Sequence, residues 1–296
     1  MPHLGGRNIP LYRPVHVAFG NYLRPNSQPE TMRHRRVALR TLLGLGLFAL
    51  LAQPVAAQTS INSELITDLN LDLLYVAIPI TVLVEGILIY TVIRYRADNV
   101  EEAKPTQENR RLEITWTVAT AVILLFVGFA AYQVLGVTAI GGVTASTNPN
   151  AQPAAVTQNY DGAIGPQQSE TNAVQIDVTA QKYFWTYSYQ TENGTVSGTS
   201  TTGEAMKIPT DRPVYIHVTS TDWLHAFHVP DLGLKVDAFP GQYNTIKTTA
   251  YEEGSYQLYC AEYCGVGHSG MLGQIDVVSS EEFQQYLDEK QQAAEE

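Results

Sequence analysis

Cysteine and basic residues are both scarce in this chain. Two cysteines in 296 residues exclude a scaffold held together by a network of disulfides. The 18 Lys and Arg residues are outnumbered by 29 Asp and Glu residues, and the net charge of −11 argues against nucleic acid as a partner. A G-x-x-x-x-G-K phosphate loop, a G-x-S-x-G turn and an H-E-x-x-H helix are also missing. The sequence therefore carries no signature of a P-loop nucleotidase, an α/β-hydrolase or a zinc protease.

The N-terminal 57 residues are predicted to lie outside the mature protein. Residues 1–31 form an extension without apolar periodicity, and translation from Met32 would omit it. Residues 32–57 resemble a signal peptide, with a basic stretch, an apolar run at 41–52, and the small residues Val55 and Ala57 before the cleavage point. A first transmembrane helix is the alternative, but this apolar run of about twelve residues falls short of the roughly 20 that a span needs.

Residues 58–137 are predicted to form a transmembrane hairpin. Two apolar runs, at about 73–93 and 114–135, are each long enough to cross the bilayer as a helix. The loop between them is basic, whereas residues 58–72 and 136–181 contain no Lys or Arg. The positive-inside rule places the loop in the cytoplasm and both ends outside. The rest of the chain is therefore expected on the outer face of the cell membrane.

The remainder of the chain divides into a linker, a β-domain and a tail. Residues 138–172 are rich in Gly, Pro, Asn, Gln, Ser and Thr and are predicted to be a flexible linker. Residues 173–279 contain short β-like runs separated by turn signals, which predict a small antiparallel sandwich or barrel. Residues 280–296 are predicted to form a helical tail with Ser280 as its N-cap.

Both cysteines lie in one short stretch, YCAEYCGVGHSGM, together with a histidine and a methionine. Thiolate, imidazole and thioether are soft ligands that suit copper. A C-x3-C disulfide is the simplest alternative, but it leaves His268 and Met271 unexplained. Zinc is a second alternative, for which methionine is a poor ligand. A mononuclear blue-copper site uses one cysteine, whereas two thiolates, Cys260 and Cys264, can bridge two copper ions.

A second histidine for such a site must come from elsewhere in the chain. His225 and His228, in DWLHAFHVPD, are three positions apart. On an extended strand they point to opposite faces, so we expect one of them to meet the loop that carries the cysteines. His217, in PVYIHVTS, is interpreted as strand packing.

The pattern C-x-E-x-C-x3-H-x2-M, preceded by D-x-x-H and LKVDAFPG, resembles subunit II of the heme–copper respiratory oxidases over roughly residues 61–278. This resemblance implies a cupredoxin-like Greek-key sandwich or barrel, anchored by the two helices and carrying a binuclear copper centre called CuA. It implies two bridging thiolates, two terminal imidazoles, a weak thioether and a backbone carbonyl, matched here by Cys260, Cys264, His225, His268, Met271 and Glu262. It also implies that the Glu262 side chain reaches a magnesium ion shared with the catalytic subunit.

Other positions gain a role from the same resemblance. Glu113 matches a glutamate at the cytoplasmic mouth of a proton-uptake path, although a helix-start residue is the simpler alternative. In the run YFWTY, Trp185 matches a family tryptophan, while Tyr183 replaces the exposed tryptophan through which electrons enter. The donor is therefore either a cytochrome c or a small blue-copper protein. Asp237 is expected near the catalytic subunit, as is Glu85, because an intramembrane carboxylate usually faces protein.

The implied function is that of the electron-accepting subunit of a proton-translocating cytochrome c oxidase. Electrons from an external donor would reach copper in this chain and pass to heme in catalytic subunit I, where oxygen is reduced. The sequence contains no C-x-x-C-H, and no heme is expected in this chain. A quinol-oxidase subunit would lack the copper ligands, and nitrous-oxide reductase is a soluble enzyme with a second catalytic domain. A membrane-tethered copper carrier is the alternative without an enzymatic role.

Overall fold

In the computed structural model of this chain, residues 58–96, 108–135, 150–191 and 194–295 are described. The predicted extension and the predicted signal peptide lie outside these residues. Within the described part, two helices are followed by ten strands and a C-terminal helix. The predicted combination of a two-helix hairpin with a β-sandwich is confirmed.

Helix α1 spans Ile61–Arg94 and helix α2 spans Arg110–Leu135, and both are long and apolar enough to cross a membrane. The 34 residues of α1 measure about 51 Å at 1.5 Å per residue, so its first turns extend beyond the predicted span. Leu65, near the start of α1, lines a cavity together with Phe129, near the end of α2. The two helices are therefore antiparallel neighbours.

The ten strands form two five-stranded sheets. The first sheet has the order β3-β2-β1-β5-β8 and the second the order β4-β10-β9-β6-β7. The strands are β1 (Val174–Gln181), β2 (Phe184–Thr191), β3 (Gly194–Thr199), β4 (Met206–Pro209), β5 (Val214–Ser220), β6 (His225–Val229), β7 (Leu234–Ala238), β8 (Asn244–Thr248), β9 (Gly254–Cys260) and β10 (Leu272–Val278). Every second side chain of a strand points into the core between the sheets. In β2, Trp185, Tyr187 and Tyr189 are buried, whereas the residues between them are less buried.

Both sheets are mixed rather than antiparallel. Strand β1 pairs in parallel with β5, and β4 pairs in parallel with β10, while the other strand pairs are antiparallel. The expected antiparallel pairing therefore holds for six of the eight strand pairs, and two pairs depart from it. Between β1 and β5 the chain forms β2, β3 and β4 before it returns, which gives the long connection that parallel pairing requires.

Part of the predicted linker is bound along the first sheet. The Thr157 amide donates a hydrogen bond to Asp177 Oδ2 at 2.9 Å, and the Ile164 amide donates to Thr245 Oγ1 at 3.1 Å. The prediction of a flexible linker was wrong for residues 150–172, which we call the strap. Its polar residues meet polar side chains on the outer face of β1 and β8, so the same composition that resembles a linker provides the bonding partners.

The start of α1 is bonded to the β-domain. Ser60 Oγ donates to the Leu232 carbonyl at 2.7 Å, in the turn that follows β6. The next residue, Gly233, has a φ of 63°, and a Cβ built there would lie 2.9 Å from the Ser63 amide nitrogen. A glycine is therefore required for this close approach. The membrane helix and the turn after β6 are held together.

Helix α3 spans Ser280–Glu295, as predicted for the tail. Its N-cap is Ser279 and not Ser280, because the Glu282 amide donates to Ser279 Oγ at 3.1 Å. Phe283 is buried and packs edge-on against Tyr189, with 6.0 Å between the ring centroids. The tail thus covers one end of the core.

Candidate metal centre

The end of β9 and the loop that leads to β10 carry five of the six predicted ligands at one end of the second sheet. Cys260 is the last residue of β9, Met271 directly precedes β10, and the Cys260 amide donates to the Met271 carbonyl at 3.1 Å. Between them the chain reverses at Gly265, whose φ of 131° disfavours any side chain, and passes through a 3-10 turn at His268–Gly270. The loop thereby returns Cys264 and His268 towards the strand ends.

Strand β6 supplies a further side chain. It runs antiparallel to β9 with Phe227 opposite Cys260, and His225 lies two residues away on the same face. His225 is fully buried, and its Nδ1 lies 3.8 Å from Cys260 Sγ. His228 is directed elsewhere, since its Nδ1 bonds to the Leu234 carbonyl at 2.8 Å. The structure thus places His225, and not His228, beside the thiols.

Five side chains converge through sulfur and nitrogen atoms. The two cysteine Sγ atoms are 3.9 Å apart, well beyond the roughly 2.05 Å of a disulfide. Cys264 Sγ lies 3.7 Å from His268 Nδ1 and 3.9 Å from Met271 Sδ. The ligand atoms of His225, Cys260 and Cys264 all lie within 4.8 Å of one another. Both cysteines, His225 and Met271 are buried, so the cluster is shielded from water.

The two thiols differ in their electrostatics. Burial raises the pKa of Cys260, but hydrogen bonding with His225 and with neighbouring backbone groups outweighs burial and lowers the pKa to about 6. Burial and the charge of Cys260 raise the pKa of Cys264 to about 11. Burial lowers the pKa of His225, yet its contacts with Cys260 and Asp222 outweigh burial and raise it. Two thiolates this close repel each other, so a bound cation is needed to deprotonate both.

Asp222 orients His225 from the side away from the thiols. Its Oδ1 lies 2.9 Å from His225 Nε2, which leaves Nδ1 directed at Cys260. A carboxylate bonded to the outer nitrogen of a metal-binding imidazole fixes its tautomer and ring orientation. Sequence analysis did not assign this role, although the D-x-x-H spacing contained the signal.

The two aromatic residues of the YFWTY run occupy different depths. Trp185 is fully buried, with its ring centroid 6.4 Å from that of His225, so an external donor cannot contact it directly. Tyr183 is half-buried and lies on the loop: a Cβ at Gly265 would be 2.6 Å from its hydroxyl, and one at Gly267 would be 2.4 Å from its Cδ2. The two glycines therefore make room for the Tyr183 ring.

The two predicted glutamates lie at opposite ends of the molecule. The Glu262 carbonyl oxygen is 3.1 Å from Cys260 Sγ, and its carboxylate is 3.8 Å from Lys235 Nζ. Glu113 lies in the first turn of α2, which Asn109 caps by accepting from the Leu112 amide at 3.1 Å. It is exposed along the helix and remote from the thiol cluster.

A buried cluster of soft donors in a β-sandwich, joined to two membrane-spanning helices, defines a membrane-anchored metal-binding protein. Two family models match this chain: cytochrome c oxidase subunit II, transmembrane domain, at residues 50–134, and cytochrome c oxidase subunit II, periplasmic domain, at residues 192–278. The chain belongs to the cytochrome c oxidase subunit II family. It is a membrane protein whose C-terminal domain is extracytoplasmic.

Relatives of the same name are similar along most of the chain. Cytochrome c oxidase subunit 2 of Synechocystis sp. is 28% identical over 257 residues, which cover 79% of this chain and 74% of that protein. The probable cytochrome c oxidase subunit 2 of Rickettsia bellii is 27% identical, covering 86% and 93%. Among solved structures, the periplasmic domain of subunit II of cytochrome oxidase of Bradyrhizobium japonicum is 27% identical, with a TM-score of 0.38 over 40% of this chain and 94% of that one.

Family membership implies copper, and the donor set fits it. Thiolate and thioether sulfur with imidazole nitrogen is the combination that copper prefers over hard cations such as magnesium or calcium. The burial of the donors and the proximity of two thiols with opposite pKa shifts agree with a site completed by a soft cation.

Proposed function

We propose that this chain is the electron-accepting subunit of a terminal respiratory oxidase. The observation that carries the proposal is the convergence of two buried cysteines with His225, His268 and Met271 at one end of the sandwich. In this proposal Cys260, Cys264, the two histidines, Met271 and the Glu262 carbonyl would together hold a binuclear copper centre. Copper held there would supply one-electron redox chemistry.

The protein's own contribution is positioning. The ladder between β9 and β10 fixes Cys260 and Met271, Asp222 fixes the ring of His225, and burial excludes water. A rigid cluster lowers the rearrangement that accompanies a change of charge, and the surrounding hydrogen bonds tune the potential. No acid, base or nucleophile of this chain is required for that task.

The partners follow from the same assignment. The two helices and the outer domain bind the heme–copper catalytic subunit I, where oxygen is reduced with proton translocation. An external donor, either a cytochrome c or a small blue-copper protein, delivers electrons in the region of Tyr183 and Trp185. The Glu262 carboxylate lies beside the centre and is assigned to a magnesium ion at the subunit interface. Glu113 is assigned to the mouth of the proton path.

The remaining assignments concern the ends of the chain and its membrane. Residues 1–31 are an extension and 32–57 a signal peptide, so that the mature chain crosses the cell membrane twice with both ends outside. Within the exported part, the strap precedes the copper domain at 173–279.

Metal analysis with electron paramagnetic resonance of the purified chain tests the binuclear assignment. We expect two coppers per chain and a spectrum of one unpaired electron shared by both. Cys264→Ser should abolish that spectrum, while the control variant Ser280→Ala, at an exposed serine, should keep it. One copper per chain with a blue mononuclear spectrum would contradict the assignment. Rapid loss of copper to a chelator would favour the copper carrier instead.

A further inference from the structure

A second tryptophan of the exported domain is exposed close to the cluster. Trp223 has 54% of its surface accessible, whereas Trp185 is fully buried. It lies in the turn between β5 and β6, directly after Asp222 and two residues before His225. Its large apolar ring at the surface is of the type that dominates the binding energy of protein contacts.

Hydrogen bonds connect this turn to the cluster. Asp222 Oδ1 bonds to His225 Nε2 at 2.9 Å, and Asp222 Oδ2 accepts from the Lys182 amide, also at 2.9 Å. The Trp223 amide donates to Ser220 Oγ at 3.3 Å. The turn is therefore held in place. A peptide bond joins Trp223 to Asp222, and the Asp222 side chain is hydrogen-bonded to His225.

The other aromatic candidates are less accessible or point to a different place. Tyr183 is half-buried, with its ring against the backbone of Gly265 and Gly267. Tyr263 is 73% exposed, but its ring lies 5.8 Å from that of His268, on the loop rather than beside Asp222. Trp223 is thus the exposed aromatic on the His225 side of the cluster among the described residues.

The charge around Trp223 is unusual for this domain. Residues 137–296 contain 19 Asp and Glu and 6 Lys and Arg. Four of the lysines are ion-paired with carboxylates, namely Lys207, Lys235, Lys247 and Lys290. The ammonium of Lys182 instead lies 4.6 Å from the centroid of the Trp223 ring. Asp222, the residue next to Trp223, carries the opposite charge. The contact point therefore presents an apolar ring flanked by one cation and one carboxylate, which favours a partner whose contact face is uncharged at its centre.

We propose that Trp223 is the residue that the external electron donor contacts, and that this donor is a one-electron carrier whose contact face is apolar and uncharged at its centre. The inference rests on the proposed function and specifies its donor. In each encounter the donor loses one electron and the copper centre gains it, and no bond is made or broken. Tyr183, which occupies the family's position for this role, packs the loop instead.

Stopped-flow reduction of the assembled oxidase by a small blue-copper protein with an uncharged contact face tests the inference. Trp223→Ala should lower the bimolecular rate constant and the affinity for the oxidised donor by about tenfold or more, and Trp223→Phe by less. Tyr251→Ala, a matched exposed aromatic remote from the cluster, should change neither. A larger loss in Tyr183→Ala than in Trp223→Ala, or wild-type behaviour of Trp223→Ala, would overturn the inference.

Two further measurements make the result specific. The rate constant should change by no more than about twofold between low and high salt, because an uncharged contact is little screened, and a steep fall would overturn the uncharged donor. Reduction by hexaammineruthenium(II), which needs no docking surface, should be unaffected by Trp223→Ala while the copper spectrum stays intact. Absence of that spectrum in the wild type would refute the proposed function and, with it, this inference. A normal spectrum with an unaffected protein donor would refute the inference alone.

Discussion

Two histidines on β6 have different surroundings although three positions separate them. His225 is fully buried beside Cys260, whereas His228 is half-buried and packs edge-on against Tyr259, with 5.0 Å between the ring centroids. Strand parity and the D-x-x-H pattern were enough to predict which one meets the thiols. The bond from Asp222 was not predicted, although the D-x-x-H spacing is compatible with it, because spacing alone does not show that two side chains across a turn are in contact.

Replacing the two histidines separates their roles. We expect His225→Ala to lose the two-copper spectrum, because it removes a buried nitrogen next to Cys260. His228→Ala should retain two coppers per chain, since that ring bonds only to a backbone carbonyl and packs against Tyr259. Copper content and paramagnetic resonance measure both. Loss of copper in His228→Ala with retention in His225→Ala would show that the opposite face of β6 binds the metal.

Asp222 is expected to act on the metal through His225. Asp222→Ala leaves the outer nitrogen of His225 without its 2.9 Å partner, and such losses lower metal affinity by about 10–100-fold. Competition with a copper chelator measures the affinity. Asp237→Ala is the matched control, because Asp237 is half-buried on the neighbouring strand and its position lies opposite Ala226 rather than a ligand. Equal affinities in the two variants would remove Asp222 from the orienting role.

At the scale of elements, the alternation of apolar and polar residues predicted some strands but not others. Seven strands overlap predicted runs, and in most of them the apolar residues recur at every second position: β1, β2, β5, β6, β8, β9 and β10. Strands β3, β4 and β7 were not predicted, being short or rich in Gly and Thr. The strap was missed for a different reason: polar residues that bond to a sheet have the same composition as those that stay in water.

The polar layer beneath the strap should make the domain sensitive to acid. Burial lowers the pKa of His217 from 6.5 to about 4, and its ring bonds to Thr245 Oγ1 and Gln175 Oε1. The folded-state pKa lies below the unfolded value, so the unfolded chain binds the extra proton between these pH values. The contribution of neutral His217 to the free energy of unfolding is therefore fully present above pH 6.5. It decreases as the pH falls and is lost below about pH 4.

The size of that contribution follows from the shift and amounts to about 3 kcal/mol. Urea unfolding of the detergent-solubilised chain, followed by tryptophan fluorescence from pH 7 to pH 4, measures it. His217→Gln keeps a neutral side chain and should flatten the pH dependence. If the free energy of unfolding of His217→Gln changed with pH as steeply as that of the wild type, the acid sensitivity would belong to other groups.

At the scale of the whole molecule, the basic ends of the two helices and the thiol cluster lie on opposite sides of the helix hairpin. The basic residues Arg94, Arg96, Arg110 and Arg111 lie where α1 ends and α2 begins. The thiol cluster lies in the β-domain, to which the opposite end of α1 is bonded through Ser60. Hydropathy and charge were sufficient to predict this polarity. They could not predict the bonds that fix α1 to the turn after β6, because those depend on single contacts such as that of Gly233.

Replacing Glu113 tests whether the cytoplasmic end of α2 takes part in proton uptake. It lies in the first turn of α2, about 33 Å along the helix from Leu135 at 1.5 Å per residue. Glu113→Gln removes a charge there, and we expect slower oxygen reduction in the assembled complex with an unchanged copper spectrum, because only proton uptake is affected. The loss of helix-dipole stabilisation is about 0.3–1 kcal/mol, too little to prevent assembly. Glu108→Gln, just before the same helix, is the matched control and should turn over normally. If the Glu113→Gln complex contained all its subunits and reduced oxygen at the wild-type rate, Glu113 would have no role beyond the start of the helix.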